Sequence, residues 1–261
     1  MAQSVPTHAF RERWGRSILR VTGLLALLAL LAGCGVDPGP IVGGPRAADV
    51  FGEGDTLKLV KAACAGDAAS VKTIVGQGAD PNHQGRDGST PLLWAVICRK
   101  PAGVEALLSA GADPNLSTAT LGSATYFASG GADPRILRIL LEHGGDPNAV
   151  NPKSGDSALY EALARGFHTR EWEDWNDLLK AGADINRADE AGNTIAIEAV
   201  NFGEFRIVSE LLDRGYGYDL EGLKRAVEMR TIGNVDHQAD WKAVVQQKLA
   251  KRRPLSRSPG G

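Results

Sequence analysis

The phrase GADPN occupies Gly78–Asn82 and returns at Gly111–Asn115. It becomes GGDPN at Gly144–Asn148, GADIN at Gly182–Asn186 and GYGYD at Gly215–Asp219. Successive leading glycines stand 33, 33, 38 and 33 residues apart. A fixed period in this range specifies a stacked repeat array, whose units cannot bury their apolar faces alone.

Each interval carries two apolar stripes at helical spacing. In the second unit Thr90 is placed to cap a first helix, and Pro91 takes the first helical position, where its missing N–H costs nothing. Leu92, Ala95 and Val96 form one stripe, and Val104, Leu107 and Leu108 form the next. Gly111 then supplies a left-handed residue to end the second helix, and Pro114 pushes Asp113 into an extended conformation. The same slots recur along the chain. They are filled by Leu59, Ala63 and Val71, then by Ala128, Leu137 and Leu140, then by Ala162, Trp175 and Leu178, then by Ala199, Val208 and Leu211. Leu223, Val227, Trp241, Val244, Val245 and Leu249 read as an extended C-terminal cap.

Asp87–Ala95 (DGSTPLLWA) resembles the T-P-L-H-x-A signature of the ankyrin repeat, and Val104, Leu107–Leu108 and Gly111–Asp113 resemble its second helix and exit. The resemblance runs from about Asp55 to Leu249. It implies an all-α ankyrin-repeat solenoid of about five to six helix-turn-helix units, with polar capping units at its ends. The histidine of the signature, which normally ties neighbouring loops together, is replaced by Leu93, Tyr126, Tyr160 and Ile197.

The 38-residue interval holds one extra residue before Ser157 and four more around Phe167–Trp172. Four residues are close to one helical turn, and the expectation is an added turn on the second helix of that unit. Trp172, three residues before the buried slot of Trp175, either packs beside it or faces a partner.

The N-terminus reads as an address. Residues 1–33 carry Arg11, Arg13, Arg16 and Arg20 ahead of the apolar run Val21–Ala32, the layout of a secretory signal peptide. Leu31-Ala32-Gly33-Cys34 resembles the lipobox of bacterial lipoproteins, which implies lipid on Cys34 and cleavage before it. The expected location is a bacterial cell envelope, lipid-anchored and facing the periplasm, with the outer membrane favoured because Gly35 rather than Asp follows the cysteine. Residues 34–54 are rich in Gly and Pro and read as a flexible tether, residues 55–249 as the repeat domain, and residues 250–261 as a basic disordered tail. Cys64 and Cys98 lie 34 residues apart, in nearly equivalent places in adjacent units. Helices packing about 8–10 Å apart leave cysteine Cα atoms too distant for a disulfide unless the chain moves locally.

The whole chain has a formal charge of −2, and removing residues 1–33 leaves −5. This gives no electrostatic reason to expect nucleic-acid binding. The histidines show no metal-ligand spacing, and no phosphate loop or nucleophile elbow is present, so no catalytic residue, metal or cofactor is expected. Function is then sought on the fingertip loops and the exposed side of each first helix, where ankyrin arrays bind other proteins. Register assigns this groove Arg86, Asp87, Ser89 and Trp94, then Thr120 and Phe127. Lys153, Asp156, Glu161 and Arg165 follow, and then Glu190, Asn193, Glu198 and Phe202. Family analogy suggests an inhibitor or immunity-type adaptor against an envelope-acting effector, the alternative being a structural or stress-protective envelope scaffold.

Overall fold

The computed structural model describes residues 46–252 except 132, 190–191 and 232–237. Cys34, the signal segment and Glu190 therefore lie outside the described residues. The chain divides between Ala112 and Asp113 into two compact units.

The first unit contains α1 (Ala47–Phe51), α2 (Asp55–Ala65), α3 (Ala68–Gly76), α4 (Pro91–Ile97) and α5 (Pro101–Ser109). Thr90 caps α4 as its sequence predicts, its hydroxyl oxygen accepting from the Leu93 N–H at 3.1 Å. Asp67 caps α3 in the same manner through Ser70. These bonds satisfy amide donors that a helix start leaves without partners. The core is built by Leu59, Val60, Ala63, Val71, Leu92, Leu93, Ala95, Val96, Val104 and Leu107. Gly103 allows α5 to lie directly on α2: a Cβ there would overlap the Ala63 carbonyl.

Two expectations fail in this unit, and they fail together. The stretch read as tether contains α1, because Ala47 and Val50 find a buried seat against Val60, Cys64 and Trp94. The Arg86 N–H donates to the Val50 carbonyl at 3.1 Å and pins α1 to the loop before α4. Cys64 and Cys98 are also joined by a disulfide, with Cα atoms 5.3 Å apart. The spacing argument used helix-axis distances. The two cysteines end α2 and α4 on facing sides, where the short side chains at the contact bring the backbones closer.

The second unit opens with a two-residue antiparallel ladder, β1 (Ser117–Thr118) with β2 (Gly122–Ser123). It continues with α6 (Ala124–Ser129), α7 (Pro134–Glu142), α8 (Ala158–Thr169), α9 (Glu173–Lys180), α10 (Ile195–Phe202), α11 (Phe205–Asp213), α12 (Leu220–Met229) and α13 (Gln238–Lys251). Ser123, Ser157 and Thr194 each accept from the N–H three residues on, so the cap slot holds through the array even without proline. Val245 and Leu249 of α13 are buried on the preceding helices, whereas Trp241 and Val244 remain on the surface.

The long interval resolves differently from expectation. The added turn lies on the first helix, α8, which has 12 residues against 7 in α4, while α9 has only 8. Trp172 is the N-cap residue of α9. It packs edge-on against Trp175 with ring centroids 6.3 Å apart, fills the space left by Gly166, and lies under the Arg206 guanidinium at 5.2 Å. It is thus a packing residue, held by an apolar body and a cation over its face.

The repeated phrase has a definite mechanical role. In Asp80, Asp113, Asp146 and Asp184 the carboxylate accepts from the N–H two residues on at 2.8 Å, the Asx turn that this residue pair favours. The asparagine side chain then reaches the next unit's turn. Asn82 donates to the Gly111 carbonyl, Asn115 to that of Gly144, and Asn148 accepts from the Asp184 N–H. Asn186 accepts from Gly217 and Tyr218. In the faded phrase Tyr216 takes the alanine slot, fully buried, with its hydroxyl 2.8 Å from Thr194 Oγ1. Burial holds that phenol above its usual pKa.

Candidate protein-binding surface

In the first unit the fingertip positions divide by exposure. Arg86 and Asp87 are exposed, but Ser89 and Trp94 are buried. The Trp94 indole N–H donates to Ser89 Oγ at 2.9 Å, and Ser89 Oγ donates to Asp87 Oδ1 at 2.5 Å. Phe51 of α1 meets the indole edge-on at 6.0 Å. Trp94 is therefore a core residue rather than a groove anchor. The register placed it correctly on α4, but α1 covers that face.

In the second unit the loops present Thr120, Lys153, Asp156 and Asn193. Thr120 is exposed and its carbonyl accepts from Asn151 Nδ2 at 3.1 Å. The Lys153 N–H is fixed by Asn151 Oδ1, which leaves its side chain in solvent. Asp156 is half-buried, its carbonyl accepting from the Asn151 N–H. Asn193 folds back on Asp189 through both its N–H and its side-chain amide. These contacts give the loops internal hydrogen bonds.

The first helices supply the remaining positions. Tyr160 and Phe167 stand seven residues apart, two turns along α8, and so share a face. Phe202, at the end of α10, reaches between them, with centroids 6.3 Å from Tyr160 and 4.9 Å from Phe167. All three rings are half-buried. His168 meets Phe167 edge-on at 5.1 Å, and the Arg170 guanidinium lies 5.9 Å from the same ring while pairing with buried Glu204. Phe127 is half-buried on α6, and Glu198 is half-buried on α10, accepting from Asn201. Glu161 accepts from the Tyr126 hydroxyl at 2.7 Å; burial and that carboxylate push the phenol's pKa up.

Arg165 is held within its own unit. Its stem crosses Gly131, where a Cβ would overlap it, and its guanidinium pairs with Asp174 at 2.7 Å and Glu171 at 2.6 Å.

The structure thus gathers Phe202 into an aromatic ridge whose other members, Tyr160 and Phe167, the groove register leaves out. Their signal was the seven-residue spacing, legible only once the added turn is placed on α8. Among the described residues no group of three or more His, Cys, Asp or Glu side chains could hold a metal ion, and no helix is long and apolar enough to cross a membrane.

The ankyrin repeat family model matches residues 87–119. No curated protein matches the sequence. The matched stretch contains the Thr90 cap, the α4–α5 pair and the closing phrase, and the same capped pair recurs from α6 to α11. The described residues thus form an all-α array of capped helix pairs, one of which matches the ankyrin repeat.

Proposed function

We propose that this chain is a non-catalytic, protein-binding adaptor held by lipid on Cys34 in a bacterial cell envelope, facing the periplasm. Ankyrin repeats generally mediate protein–protein interaction. The observation that carries the binding role here is the half-buried ridge Tyr160–Phe202–Phe167. Aromatic rings with one exposed face are the side chains that most often anchor interfaces. The envelope address is supported by the basic leader, the apolar run and the Leu31–Cys34 motif. It is supported independently by the Cys64–Cys98 disulfide, a bond that persists mainly in oxidising compartments. Within the binding class we favour an inhibitor of an envelope-acting effector, on family analogy.

Affinity capture of the tagged full chain from envelope extracts tests the binding role. A single protein retained by the native chain and lost from the Phe167→Ala/Phe202→Ala variant is the expected result. Equal retention by both would overturn the assignment of the ridge. Labelled palmitate entering the native chain but not Cys34→Ala tests the anchor, and equal labelling would refute it. A deletion strain surviving effector-armed competitors as well as its parent would exclude the inhibitor role.

A further inference from the structure

The junction of α8 and α9 contains an arrangement that neither packing nor protein binding requires. Asp174, in the first turn of α9, is 2% exposed. Its Oδ2 pairs with Arg165 Nη1, while its Oδ1 is buried with no hydrogen-bond partner. A buried carboxylate oxygen left in this way makes the charged form costly. Arg165 is meanwhile shared: one nitrogen serves Asp174 inside, the other serves Glu171, which is more than half exposed.

The surrounding charges can be named from each neighbouring element. α8 contributes Arg165, and the connecting loop contributes Glu171. α9 itself adds Glu173 and Asp177, both of which oppose ionisation of Asp174. Asp177 is itself paired with Arg138 of α7 and with Lys180. From α11, Arg206 is engaged on Trp172, and Glu204 at its N-cap is engaged by Arg170. Arg165 is thus the one cation bonded to Asp174 among the described residues.

We propose that the Arg165–Asp174 pair is a proton-operated latch between α8 and α9. With Asp174 charged, Arg165 lies across Gly131 and is locked to the first turn of α9. With Asp174 neutral, the guanidinium keeps only solvent-exposed Glu171 and can swing out on the α8 face beside Glu161. The proton goes to the orphaned Oδ1, the Arg165–Asp174 contact is released, and no other covalent bond changes. The acidity of the group agrees with this: burial pushes Asp174 up to about 6, with Arg165 acting against the rise. The latch therefore works between neutral and mildly acidic surroundings, and it stands whether or not the ridge binds a partner.

Carbon-detected NMR titration of the Asp174 carboxyl in the full chain tests it, with Arg165 guanidinium exchange read in parallel. The expected midpoint is near 6, with guanidinium exchange faster at pH 5 than at pH 7.5. In Arg165→Met the midpoint should rise further, because burial then acts unopposed. In Asp174→Asn the Arg165 exchange should lose its pH dependence around this midpoint. A native midpoint in the ordinary aspartate range near 4, or one that Arg165→Met leaves unmoved, would overturn the latch. The native titration needs no variant, so a variant that fails to fold leaves the test intact.

Discussion

The side-chain amide of Asn115 clasps the turn of the following repeat around Asp146. Asn115 Oδ1 accepts from the Asp146 N–H at 2.8 Å while its Nδ2 donates to the Gly144 carbonyl at 2.9 Å. One side chain thus satisfies an acceptor 29 residues away and a donor 31 residues away. It ties neighbouring turns together, the task the missing signature histidine would perform.

Replacing Asn115 by alanine should then cost about 1–2 kcal/mol, the net worth of two hydrogen bonds between partly exposed partners. Urea denaturation should show a lower midpoint with an unchanged slope. Asn115→Asp keeps the acceptor alone and should fall between the two.

The disulfide closes a long loop of unfolded chain, which in the chain-entropy account stabilises by about 3–4 kcal/mol for 34 residues. Cys98→Ser should lower the melting temperature accordingly, and reductant should abolish the difference between the two proteins. Reductant leaving the native chain unchanged would show that the bond does not form in solution.

Gly103→Ala places a methyl group into the Ala63 carbonyl. The obstacle is backbone, so relief requires α5 to move off α2, and overpacking of this kind costs about 1–3 kcal/mol. Gly182→Ala meets open space but requires φ near 91°. Its penalty, about 1 kcal/mol, is purely conformational. Measuring both separates close approach from backbone strain.

Asp174 has a pH signature of definite sign. Its folded-state value, about 6, lies above the ordinary 3.8. The folded chain therefore binds this proton more tightly than the unfolded chain between those limits. Its contribution favours folding at the acid end and is lost as pH rises from about 4 to about 6, by an amount on the order of 2–3 kcal/mol. Asp174→Asn should remove that slope, so its stability relative to the native chain should improve from pH 4 to pH 7. Calorimetry of both proteins across this range provides the comparison.

The array was legible because its punctuation is local: a hydroxyl cap, a proline at the first helical position, and a glycine at each exit can all be read within a few residues. Core stripes followed from the same register, and Leu92, Val104, Leu137, Trp175 and Val208 are buried where spacing put them. What escaped depended on contacts between distant segments. α1 is five residues of unremarkable composition, and its seat against Val60, Cys64 and Trp94 is what the sequence does not announce. That one contact also moved Trp94 from surface to core. Placing the added turn required knowing where α8 stops, which Arg170 decides by adopting a left-handed φ of 64° that no glycine announces.

The Cys64–Cys98 bond also alters how the first unit would respond to force. An array held by nearest-neighbour packing peels from its ends, one helix pair after another. A pull entering through residue 46 would unseat α1 first. It would then pass along α2 to Cys64 and cross the disulfide directly to the end of α4. The intervening α3 and α4 would be bypassed and carry none of the load. α3 and α4 would be shielded from the pull for as long as the bond holds, and force would next reach α5.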